Sequence, residues 1–219
     1  MVSVLAALPI GAQPSTSESA PPGAPTADVL AGRLQTRYDA VKDFTADFSQ
    51  SYRGGVLRKT TTEHGSLQVK KPGRMRWLYK SPEEKLFIAD GARIYLYVPA
   101  DRQVVVRPMP ASSGATNPAM FLIGRGNIAR DFRVRYTSVP GAPPGSWSLS
   151  LIPNQPQPEY ESLVMVVAAD TLTLRMLVAT DAQGGTSTFT FTNVKENLGI
   201  PEKSFSFSIP RGVDVITEG

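Results

Sequence analysis

Cysteine is absent from this chain of 219 residues, so neither a disulfide framework nor a thiolate metal site contributes to it. Histidine occurs once, as His64, which leaves no pair of imidazoles to share a metal and a single ring for any serine hydrolase to use as base. No G-x-S-x-G elbow, H-E-x-x-H pair or G-x-x-x-x-G-K-[ST] loop is present. Asp47, Asp90, Asp101, Asp131, Asp170 and Asp181 fall mostly at strand ends and turns, where aspartate ordinarily shapes the turn. These absences predict a binding protein with no catalytic residue, metal or cofactor. Residues 2–10 are apolar but far too few to span a bilayer.

Turn formers are abundant instead: 18 Gly and 19 Pro with 41% apolar residues predict many short strands rather than long helices. The centre of the pattern is residues 65–99. Leu67 and Val69 alternate with Gln68 and Lys70, and after a Pro-Gly turn Met75, Trp77 and Tyr79 alternate with Arg74, Arg76 and Leu78. Ser81-Pro82 ends that run, LFIA leads to a turn at Asp90-Gly91, and IYLYV follows. One face of this four-stranded meander is aromatic and aliphatic, the other basic, and the apolar face needs a cover or a ligand.

Before the meander, residues 1–27 read as the remnant of a signal peptide and a flexible Pro/Ser/Ala-rich tether, with a small-residue cleavage site around Gly11-Ala12 and no basic n-region. Residues 28–219 read as one domain. Asp28 is the expected cap of a helix whose Leu30, Leu34, Tyr38 and Val41 share one face, and Phe44, Ala46 and Phe48 open the first strand. Beyond the meander, Pro118 to Gly124 read as a short apolar helix, either a lid or plug in an apolar concavity or an ordinary core helix. The second half then returns to strands, including STFTF and SFSFS. Eleven or twelve strands, nearly all antiparallel, predict a mainly β (α+β) fold. This is one large curved sheet, an unclosed half-barrel with short helices as a lid over an apolar cavity. The expected lining is Phe48, Trp77, Tyr79, Phe87 and Tyr95 from the first half, and Phe189 and Phe191 from the second. Met120, Phe121 and Ile123 are expected near the lid.

Charge is unevenly placed. Residues 53–85 carry nine Lys/Arg against three Asp/Glu, a net +6 within a chain of net +4. Lys59, Lys70, Arg74 and Arg76 are therefore the expected docking residues for an acidic partner or an anionic membrane surface. No nucleic-acid-binding motif accompanies them.

The residues also resemble a known family. VKDFTADFSQ at residues 41–50, the meander at 65–97, NPAMFLIG at 117–124 and the closing FSFSIPRGVDVI are similar to the periplasmic outer-membrane lipoprotein carrier proteins of the LolA type. The resemblance implies a periplasmic, monomeric carrier. Such a carrier receives acylated lipoproteins from an inner-membrane ATP-driven transporter and passes them to an outer-membrane receptor. The alternative is a related half-barrel that senses lipid or lipoprotein or binds a glycolipid. Family members commonly carry arginine before the turn proline, in a position that controls the lid. Here that position is Lys71, which lacks arginine's planar donor fork and implies a weaker latch.

Overall fold

The computed structural model describes residues 20–56, 58–110, 122–124 and 126–218. Helix α1 (Ala27–Ala40) begins where Thr26, not Asp28, accepts the Val29 N–H at 3.4 Å, so the cap falls two residues earlier than the sequence suggests. Asp28 lies in the first turn, where its charge complements the helix dipole. Residues Ala24 and Ala27, assigned above to the tether, already pack against the core. The helix buries Leu30, Ala31 and Leu34, as the spacing requires.

The first-half strands are β1 (Asp43–Arg53), β2 (Thr60–Lys70), β3 (Arg74–Ser81), β4 (Lys85–Asp90), β5 (Arg93–Val98) and β6 (Gln103–Pro108). A single turn, α2 (Ile128–Asp131), precedes β7 (Phe132–Tyr136), β8 (Ser146–Pro153), β9 (Ser162–Ala168), β10 (Leu174–Thr180) and β11 (Thr186–Glu196), and β12 (Asp214–Thr217) closes the series. They form one sheet in the order β12-β6-β5-β4-β3-β2-β1-β11-β10-β9-β8-β7. Among the described residues every pairing is antiparallel except β12 on β6. Edges β7 and β12 do not pair with each other, so the sheet is an unclosed half-barrel.

SFSFS is not a strand. Glu202–Phe205 is a 3-10 turn, and the chain on either side crosses the outer face of the sheet before β12. The turn buries Phe205 (1% exposed), and the extended chain after it lays Phe207 against Tyr95 and Tyr97. The described residues thus form two packed clusters. The larger lies on the inner face beneath α1 and includes Leu34, Phe48, Leu67, Trp77, Met165 and Phe191. The smaller lies on the outer face of β4, β5 and β6, around Ile88, Tyr95, Val104 and Val106.

Candidate functional site

Helix α1 precedes β1 in the chain yet is pinned over the far half of the sheet. Arg37 pairs with Glu196 of β11 at 2.5 Å and donates to Thr173 Oγ1 at 3.3 Å. Gln35 Oε1 accepts the Ile128 N–H at 2.8 Å, and Tyr136 donates to the Pro25 carbonyl at 2.9 Å. Between helix and sheet is a cavity of ≈ 60 Å³, walled by Leu34, Val41, Leu122, Met165, Leu174 and Phe191, with Arg37, Lys71 and Glu196 as its polar members. Its volume is well below the roughly 300–1,000 Å³ of ordinary ligand pockets. The helix therefore sits down on the sheet, filling most of the space it roofs.

Lys71 stands at the joint of three segments. Its ammonium donates to the Tyr38 carbonyl at the C-terminal end of α1, where the helix dipole favours a cation, and lies 3.0 Å over the Tyr38 ring. The Tyr38 hydroxyl accepts the Gly124 N–H at 2.7 Å. Gly124 has φ +90°, which favours glycine, and a Cβ there would meet the Lys71 side chain at 3.3 Å. The Gly73 N–H donates to the Ile123 carbonyl at 3.1 Å, tying the turn after Lys71 to the same segment. Burial lowers the Lys71 pKa from 10.5 to about 8, the negative charges of Asp39 and Glu196 opposing the fall. Burial likewise raises the Tyr38 phenol above its ordinary 10.0.

The aromatic residues singled out in the sequence mostly meet on the inner face. Phe48 stacks edge-on against Trp77 at 4.8 Å and Tyr79 at 5.0 Å, and Trp77 meets Phe189 at 5.4 Å. Phe189 and Phe191 lie parallel at 6.4 Å. Gly65 makes this possible, because a Cβ there would sit 2.0 Å from the Leu78 carbonyl and 2.8 Å from the Phe48 ring. The Tyr79 hydroxyl donates to Gln50 at 3.0 Å, and burial raises its pKa. Phe87 packs against the same cluster and Ile123 is fully buried within it. Met120 and Phe121 lie outside the described residues. Tyr95 is the correction: opposite Ile88 on the outer face, it packs against Phe207 rather than facing the cavity side.

Of the basic residues, Lys70, Arg74 and Arg76 share the outer face of β2 and β3, where Lys70 stands opposite Arg74. Lys59 is exposed before the far end of β2 and does not join them. The crossing segment already engages two of the three: Lys70 donates to the Ile200 carbonyl at 2.6 Å and Arg74 to Glu202 at 3.4 Å. Sequence reasoning missed Asp43, 4% exposed, whose carboxylate accepts the N–H groups of Leu198, Gly199 and Ile200 at 2.7, 3.0 and 3.2 Å. It also missed the Arg37–Glu196 pair. Neither has a local signal, since the partners lie more than 150 positions away in the chain.

The sequence pattern of "Outer membrane lipoprotein carrier protein LolA" matches residues 39–208. The chain belongs to the LolA family. Outer-membrane lipoprotein carrier proteins of Nitrosospira multiformis and Hahella chejuensis are 31% and 33% identical to it over 189 and 195 residues. These alignments cover 85% and 87% of this chain and 88% of each relative. An uncharacterized conserved protein from Thermus thermophilus shares the fold with a TM-score of 0.55 at 11% identity, over 86% of this chain and 99% of that one. As a LolA-family protein the chain is periplasmic, of the lipoprotein-carrier type, and not an enzyme.

Proposed function

We propose that this protein binds the acyl chains of lipoproteins released from the inner membrane by an ATP-driven transporter and delivers them to an outer-membrane receptor. The carrying domain is residues 28–219 together with the short stretch from Ala24 to Ala27 that packs against it, and the residues before these serve as leader and tether. The observation that carries the proposal is the Lys71 joint beside the small cavity under α1. The cavity is apolar and too small for a chain while α1 is seated. The contacts that seat α1 combine the buried Leu30, Ala31 and Leu34 with reversible polar ties from Gln35, Arg37 and Lys71. Lifting α1 opens the space above Phe48, Trp77, Tyr79, Phe87, Phe189 and Phe191, and each CH₂ taken from water there gains about 0.8 kcal/mol. Ile123 lies on the lid side, and Lys71 sets the balance between seated and lifted helix.

Chains held this way leave only for an acceptor with a better site, so no bond is made and no nucleotide is needed by the carrier itself. Arg76, with Lys70, Arg74 and Lys59, serves docking to acidic partner surfaces or to anionic membranes. The test is mass spectrometry of what remains bound after purification from the periplasm. Triacylated peptides or proteins are expected, and a preparation that loads none when mixed with a triacylated lipopeptide overturns the proposal.

A further inference from the structure

A single row of side chains crosses the inner face from the core to a free edge of the sheet. Leu67 stands opposite Trp77, Trp77 opposite Phe87, Phe87 opposite Leu96, Leu96 opposite Val105, and Val105 opposite Ile216. Residues paired across strands share a face, so these six apolar side chains line one side of β2, β3, β4, β5, β6 and β12. Exposure rises along the row. Leu67 and Trp77 are 1% and 3% exposed, Phe87, Leu96 and Val105 are half-buried, and Ile216 is 42% exposed. Leu96, Val105 and Ile216 pack into neither of the two clusters formed by the described residues.

Polar groups flank the row on both sides at its outer end, but on one side only nearer the core, where Lys85, opposite Tyr79, is paired with Glu63. Arg107 stands opposite Ile94 on one side of the row, and Gln103, opposite both Val98 and Asp214, on the other. Arg107 lies 3.9 Å from Glu218. On the other side from Lys85, nearer the core, Met75, Ala89 and Ile94 are buried and apolar. From Leu67 to Ile216 the row crosses five strand spacings, about 24 Å at about 4.8 Å each. An acyl chain occupying half of a hydrocarbon core about 30 Å thick extends for about 15 Å, which the row accommodates with its polar end left at the edge.

We propose that this row is a loading track for one lipoprotein acyl chain, which crosses the β12 edge methyl end first and comes to rest with that end at Trp77 and its polar end between Arg107 and Gln103. The inference rests on the carrier reading above and adds the path and the direction. A graded apolar surface suits a step in which the chain must leave another hydrophobic site without passing through water. Successive methylenes are covered as they advance, and the polar end stops where polar side chains stand on both sides of the row.

The chain lacks cysteine, so Ile216→Cys provides a unique attachment point for a fluorophore, and Trp147→Phe leaves Trp77 as the one tryptophan. The probe is a triacylated lipopeptide with a nitroxide at carbon 5 or carbon 16 of one stearoyl chain. The carbon-5 nitroxide is expected to quench the label at position 216 more than the carbon-16 nitroxide does, with the opposite order at Trp77. Ile216→Asp, at an already exposed position, is expected to slow loading severalfold with the fold intact by circular dichroism. Quenching of Trp77 with an unaffected label at 216 overturns the track and leaves the carrier reading standing, as does unchanged loading by Ile216→Asp. Equal or reversed orders overturn the direction. No quenching at either site defeats the track and the carrier reading together.

Discussion

The Lys71 ammonium lies over the Tyr38 ring and donates to the same residue's backbone carbonyl, so one side chain holds both the body and the end of α1. Removing it leaves a carbonyl at the helix terminus without its charged donor. Lys71→Ala is expected to weaken the seated state by about 1–3 kcal/mol and to speed release of an acyl probe accordingly. Lys71→Arg is expected to strengthen it by about 0.5–1.5 kcal/mol through the guanidinium's additional directed donors. Stopped-flow transfer of a fluorescent acylated lipopeptide measures both. Equal rates for all three proteins mean that position 71 does not gate the cavity.

The same lysine gives the seated state a pH dependence of unusual sign. Its pKa is about 8 when buried and returns toward the ordinary 10.5 when α1 lifts or the chain unfolds. Between those values the seated state binds fewer protons than the open one, so raising pH favours the seated, folded protein. Below about pH 8 the burden of a buried charge is carried in full. Wild type is therefore expected to gain urea resistance relative to Lys71→Met from about pH 7.5 to about pH 9.5. The window stops short of the ordinary tyrosine range because Tyr38 and Tyr79, whose phenols burial raises, contribute the opposite trend there. A constant difference between the two proteins counts against a buried Lys71 charge.

The two aromatic faces separate stability from cargo. Trp77→Ala is expected to cost about 3–5 kcal/mol of stability and to impair acyl binding, since Trp77 is 3% exposed and meets Phe48, Phe189 and Phe191. Tyr95→Ala also loses stability, because Tyr95 is 9% exposed beneath Phe207, but its acyl affinity is expected to equal that of wild type. Denaturation midpoints and probe titrations on both variants check this, and reduced affinity in Tyr95→Ala places cargo on the outer face.

Asp43→Ala strips the acceptor from three successive backbone N–H groups and is expected to cost about 3 kcal/mol. Amide exchange is expected to accelerate at residues 198–207, while β9 and β10 keep their protection. Uniform acceleration across the sheet shows instead that the crossing segment and the sheet open together.

Docking through Arg76 and its neighbours is expected to weaken with salt, as association steered by exposed charge does. Arg76→Glu lowers the association rate with an isolated partner domain at low ionic strength and leaves dissociation nearly unchanged. Rates flat across a salt series exclude a steering role for this face.

Much of this was readable because strict alternation at Met75, Trp77 and Tyr79 assigns one face without reference to the rest of the chain. At IYLYV the same rule fails. Every position is apolar, and Ile94 enters the inner cluster while Tyr95 enters the outer one. A sheet covered on both faces erases the contrast on which alternation depends. Phe205 and Phe207 defeat it differently, since a 3-10 turn and the chain leaving it can bury two residues two apart against a sheet without joining the ladder. The Lys71 joint was legible only as a position. Its ring partner, helix carbonyl and glycine neighbour belong to three segments that meet in the folded state.

The seam between β1 and β11 joins Phe44 to Glu196, so the middle of the sheet forms only when residues about 150 positions apart have found each other. Contacts of that sequence separation fold slowly. Until β11 arrives, β1 is a long unpaired edge beside a finished meander, a template for pairing with any other chain. This protein is thus expected to be vulnerable to aggregation while it folds, and a second-half substitution that delays β10 or β11 is expected to lower yield more than its effect on final stability would suggest.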